Sequence, residues 1–115
     1  MLDRRAQLET LAVQLARLVD ILALDPRCQW RAHFVNSLAD ANTLLSTSFE
    51  QQDLIQLSRS VMSVFGGAGS FGDYVPARTS ADGSFVVIPG MEDFSDASGR
   101  VNQAALALRV SGVVA

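Results

Sequence analysis

The residues able to do chemistry are few and scattered. Cys28, His33 and Ser70 are the candidate nucleophile, base and hydroxyl, and Asp73, Tyr74, Glu92, Asp93 and Asp96 form an acidic group with one phenol. Between them lies Gly66-Gly67-Ala68-Gly69-Ser70-Phe71-Gly72. Gly67, Gly69 and Gly72 fit the G-x-G-x-x-G spacing, but that phosphate cradle needs a strand before it and a helix after it. Here an amphipathic helix precedes and an extended segment follows, so dinucleotide binding is not expected. Ala68-Gly69-Ser70-Phe71-Gly72 also echoes a nucleophile elbow. That turn needs a strand-to-helix corner and an oriented histidine, and His33 sits on a helix far upstream. One histidine without a cysteine or acid at i+4 makes a poor metal site, and a lone cysteine makes neither a disulfide nor a thiolate cluster. Neither a metal nor a cofactor is expected.

The loop reads first as backbone geometry. A helix ends near Phe65 and the chain must reverse, which positive φ at Gly66 and its neighbours would permit without Cβ clashes. Phe71 is expected to tuck into the core. Ser70, Asp73 and Tyr74 are expected at an exposed rim. Glu92, Asp93 and Asp96 begin a helix, where carboxylates complement the positive end of the dipole.

The elements that must position these residues are mainly helical. Leu8, Leu11, Leu15, Leu18 and Leu22 recur at steps of 3 and 4, which predicts one helix over 2–24 with these leucines inward. Asp25-Pro26 should stop it and start a second over 26–46, with Asp25 as N-cap and Trp30, Phe34, Leu38, Ala41 and Leu45 inward. A third, over 49–65, follows Thr47-x-x-Glu50 and Ser48-x-x-Gln51, both capping-box patterns. Asp82-Gly83 between 74–78 and 84–90 predicts a hairpin, with Pro76 placing its strand at an edge. A last helix is expected over 91–110, stopped at Gly112. The fold expected is a single mainly α domain over 1–115: a three-helix up-down core, a glycine-rich turn, a short hairpin and a C-terminal helix.

Composition narrows the function classes. The 115 residues are 49% hydrophobic and 18% charged, which excludes intrinsic disorder. The net charge is −3 and the nine positive residues, all arginine, are dispersed, so a phosphate-backbone binder is not expected. No 18-residue apolar run and no secretory pattern occurs, which points to a cytoplasmic protein away from membranes. Asp73, Asp82, Glu92, Asp93 and Asp96 crowd one stretch that holds only Arg78 as a positive residue.

Val64-Phe65-Gly66-Gly67-Ala68-Gly69-Ser70-Phe71-Gly72-Asp73-Tyr74-Val75, with Trp30 upstream, resembles the aromatic-Gly-Gly-x-Gly-Ser-Phe-Asn-Asp block of a family of small uncharacterised bacterial domains. The resemblance spans roughly residues 10–78. Gly72 stands in the place of asparagine and Ala68 in that of methionine. It implies the helical fold and a stand-alone bacterial protein, some such domains lying beside toxin genes as immunity proteins. It transfers no catalytic residue. The expectation is therefore a non-enzymatic protein-binding module, in its specific form an immunity protein facing a basic toxin across Asp73, Tyr74, Glu92, Asp93 and Asp96. The alternatives are a small ligand-binding or hydrolase-like domain using the loop and His33, and a homodimer joined by the first and last helices.

Overall fold

A computed structural model describes residues 3–66 and 70–110. It contains four helices, α1 (Arg4–Leu22), α2 (Arg31–Ser46), α3 (Gln51–Met62) and α4 (Phe94–Val110). A two-stranded hairpin of β1 (Ala77–Thr79) and β2 (Phe85–Val87) precedes α4. The mainly helical class with a short hairpin is as expected, but α4 is no appendage. It packs against α1 more extensively than any other pair of elements and also against α3. The core is therefore shared among four helices. Ala97, Ala104 and Ala105 let α4 approach closely, and Val101 and Leu108 fill the space between. The apolar stripes of the first and last helices thus meet within one chain.

Leu8, Leu11, Leu15, Leu18 and Leu22 are all fully buried along α1, as their spacing requires. Asp3 caps the helix, its carboxylate accepting from the Ala6 N–H at 2.7 Å. The second helix starts five residues later than expected. Asp25 accepts from the Arg27 N–H at 3.0 Å and its carbonyl from the Cys28 N–H at 3.1 Å, so it closes a tight turn instead of capping a helix. α2 buries Phe34, Ser37 and Ala41, while Trp30, Leu38 and Leu45 are only partly covered because its packing on α3 is thin. α3 starts with Asp53 reaching back to the Glu50 N–H at 2.8 Å. Thr47 does not cap it; its hydroxyl donates to the Thr43 carbonyl within α2. α3 stops at Met62, and Val64 and Phe65 lie in the following turn, which the Phe71 N–H closes by donating to the Val64 carbonyl at 2.7 Å.

Polar cross-links join the helices where pattern reading saw only surface. Buried Ser58 donates to the Ala105 carbonyl at 2.6 Å and accepts from Arg109 Nε at 2.9 Å. Asp96 receives Arg17 at 2.8 Å and Arg100 at 3.0 Å, and these two guanidinium groups hold its carboxyl below the usual range.

The hairpin is antiparallel, with Ala77 opposite Val87, Arg78 opposite Val86 and Thr79 opposite Phe85. Its strands are shorter than expected because Pro76 and the Ser80–Ser84 turn bound them. The turn is knotted by Asp82, which accepts from both serine hydroxyls and from the Ser84 N–H, bonds that keep its carboxyl well below the ordinary value. Among the described residues, the glycines at positive φ are Gly83 and Gly90. Gly66 is not one of them, which corrects the expectation for the loop: its backbone is ordinary, and a Cβ there would meet nothing within 4 Å. Gly90 is the constrained glycine, since a Cβ would also come within 2.7 Å of Leu24 Cδ1. Gly67, Gly69 and Gly112 lie outside the described residues.

Candidate functional site

Phe71 organises the middle of the molecule. It is buried, at the start of a 3₁₀ turn over Phe71–Asp73, with five aromatic rings around it. Ring centroids lie at 6.2 Å to Trp30, 4.8 Å to Phe34, 5.3 Å to Phe65, 6.0 Å to Tyr74 and 5.6 Å to Phe94. All are edge-to-face except the stacked tyrosine, geometries that the ring quadrupoles favour. The glycine-rich segment therefore delivers an aromatic plug that ties the turn before α2, α2 itself, the end of α3 and the start of α4 together.

Tyr74 is half-buried beside this cluster, not on an exposed rim. Its hydroxyl donates to Asp25 Oδ2 at 2.5 Å. Burial, then the bond to Asp25 and the nearby Cys28, push the phenol above its ordinary value. The folded state thus favours the protonated phenol. Its contribution to stability is complete below the unfolded pKa of about 10 and is lost as pH rises through the higher folded value. We expect Tyr74→Phe to cost about 1.5 kcal/mol near neutral pH and to flatten the alkaline fall in melting temperature. Tyr74 is the chain's one tyrosine, so phenolate absorbance reads it alone. Titration of the folded protein at the ordinary tyrosine pKa would contradict this assignment.

The other expected site residues do not converge. Glu92, Asp93 and Asp96 are exposed at the start of α4, with Asp96 engaged by its two arginines. Asp73 is exposed, and its N–H donates to the Ser70 carbonyl at 2.9 Å. His33 Nε2 donates to the Val61 carbonyl at 3.4 Å, and the ring stands edge-on to Phe34, so the histidine links α2 to α3. A hollow of about 320 Å³ lies over Phe65, Phe71, Tyr74 and Phe94, and His33 does not line it. No group of three His, Cys, Asp or Glu residues is placed to hold a metal among the described residues. None of the described helices is long and apolar enough to cross a membrane.

What sequence reading missed is the hairpin surface. Val75, Phe85, Val86 and Val87 are 67%, 79%, 40% and 51% exposed. Between the hairpin and the turn after α1 runs a cleft of about 650 Å³. Leu24, Pro26, Ala77, Phe85 and Ile88 form its apolar lining, and Asp25, Arg27, Tyr74 and Arg78 its polar part. Arg27 and Arg78 make no ion pair among the described residues. The run Phe85-Val86-Val87-Ile88 was the available signal: four apolar residues without alternation fit a strand covered on both faces, yet only Ile88 packs against the core, and no described helix packs extensively on Phe85, Val86 and Val87.

No curated protein and no solved structure matches this chain. Residues 23–84, from the end of the first helical stretch to the turn of the hairpin, match the family described as a domain of unknown function, DUF6966. They contain Asp25, Trp30, Phe34, Phe65, Phe71 and Tyr74, the turn and most of the aromatic cluster. With more than half of its length matched, the chain belongs to the DUF6966 family.

Proposed function

We propose that this protein is a non-enzymatic, cytoplasmic binding module that docks another protein through the outward surface of its hairpin and the cleft beneath it. The observation that carries this reading is the uncovered apolar strand. Phe85 and Val87 on one face of the strand and Val86 on the other present exposed apolar surface that a folded domain ordinarily buries or uses for association. Phe85 beside Arg27 and Arg78, which make no ion pair among the described residues, has the composition of an interface centre, where an aromatic anchor and arginines dominate binding energy.

An immunity protein neutralising a toxin is the specific form of this reading. Asp73, Glu92 and Asp93 supply exposed acids that suit a basic partner by steering its approach. Asp96 adds less, because Arg17 and Arg100 already compensate it.

The test is capture of the partner from the native host, followed by binding kinetics with the purified pair. Phe85→Ser should weaken binding about tenfold or more while leaving the melting temperature unchanged. Reversing Glu92 and Asp93 to lysine should slow association, and the loss should shrink at high salt. A partner held equally well by Phe85→Ser would overturn the hairpin as the docking surface. For the immunity form, co-expression should restore growth of cells making the captured toxin; no rescue would remove it.

A further inference from the structure

The two edges of the hairpin are not equivalent. Ser80 N–H donates to the Ser84 carbonyl at 2.7 Å and Ile88 N–H to the Pro76 carbonyl at 2.9 Å. The hydrogen-bonded pairs of the ladder are therefore 80 with 84, 78 with 86 and 76 with 88, since antiparallel pairs alternate. It follows that Ala77 and Thr79 on β1, and Phe85 and Val87 on β2, turn their backbone groups outward.

On β1 that edge is blunted. The Ala77 N–H already donates to the Val75 carbonyl at 2.9 Å, and Arg78 adds charge. On β2 nothing blunts it. No charged residue lies between Asp82 and Glu92, no proline interrupts 85–87, and among the described residues no helix packs extensively on the strand.

We infer that β2 pairs antiparallel with β2 of a second copy of this chain, about a two-fold axis through Val86, making a four-stranded sheet. The edge is self-complementary in this register. Phe85 faces Val87 of the other copy twice over, and both residues carry outward N–H and C=O groups, so four hydrogen bonds close the seam. Val86 meets its own symmetry mate with no like charges opposed. Phe85 and Val87 of both copies then share one face, a platform twice the size of either hairpin's. A three-residue seam is short, which places the dimer among the transient, reversible interfaces. The inference rests on the exposed hairpin that also carries the docking reading, and it names what occupies the β2 edge.

Single cysteines at 85, 86 and 87 in the full chain test the register. At the axis, the two Val86 Cα atoms would lie about 4.5 Å apart, within disulfide range. Phe85 and Val87 would each sit about 7–8 Å from their own mates, at or beyond its limit. Mild oxidation should therefore cross-link Val86→Cys about tenfold faster than Phe85→Cys or Val87→Cys, with the unmodified protein giving the background from Cys28. In sedimentation near millimolar concentration the unmodified protein should form a reversible dimer. Val87→Pro, which removes an outward N–H but leaves the Arg78–Val86 pair intact, should abolish it. Equal cross-linking at all three positions, or a strictly monomeric unmodified protein, would overturn the inference. A monomer that still loses its partner on Phe85→Ser removes the self-pairing alone; a dimer in this register that captures no partner removes the docking reading alone.

Discussion

Phe71→Ala should destabilise the fold by about 3–5 kcal/mol, the range for deleting a buried aromatic ring from a packed core. Phe71 is 2% exposed and its ring meets those of Trp30, Phe34, Phe65, Tyr74 and Phe94. The void left by its ring would adjoin α2 at Phe34, α4 at Phe94 and the turn after α3 at Phe65, and no single one of these could shift to fill it without leaving another. Against a typical domain stability of about 5–15 kcal/mol, the loss is a large part of the whole. Trp30 is the one tryptophan and lies in the cluster, so its fluorescence follows denaturant unfolding of the region directly. Phe71→Leu, which retains apolar volume, should recover part of the loss. A cost below about 1 kcal/mol for the alanine variant would show that the glycine-rich loop does not anchor the core.

Leu15→Ala or Leu18→Ala should each cost about 2–5 kcal/mol. Both leucines are fully buried on α1, the helix that packs on both α2 and α4. Its other neighbours on the stripe, Leu11 and Leu22, are equally enclosed, so the cavity cannot be relieved by rotation of an exposed side chain. Urea unfolding should show the midpoint falling with an unchanged slope, since the exposed area on unfolding scarcely changes. A loss under half a kcal/mol for both, about the size of a surface substitution, would mean that the leucine stripe is not the core face.

The helices of this protein are legible in its sequence because their signal is local. A run such as Leu8 to Leu22 encodes a period, and a helix satisfies its own backbone, so neighbours are not needed to place it. Asp82-Gly83 announces the hairpin for the same reason: the turn chemistry is complete within five residues. Phe71 as a core residue was also legible, from its apolar ring among small neighbours.

Tertiary packing decided the rest. Asp25 has the residue type of a helix cap, yet its carboxylate closes a turn and accepts a phenol from 49 residues away, which holds Tyr74 off the surface. Ser58 reads as a surface serine until Arg109 and the Ala105 carbonyl meet it inside. Asp96 reads as a free rim acid until Arg17 arrives from α1. Phe85, Val86 and Val87 read as a hairpin strand, and their exposure follows from packing, because burial depends on whether another element comes to lie on them. Local pattern determines which backbone form a segment takes; partners distant in sequence determine what each polar group bonds and which apolar face stays open, since those outcomes are set by three-dimensional proximity and not by spacing along the chain.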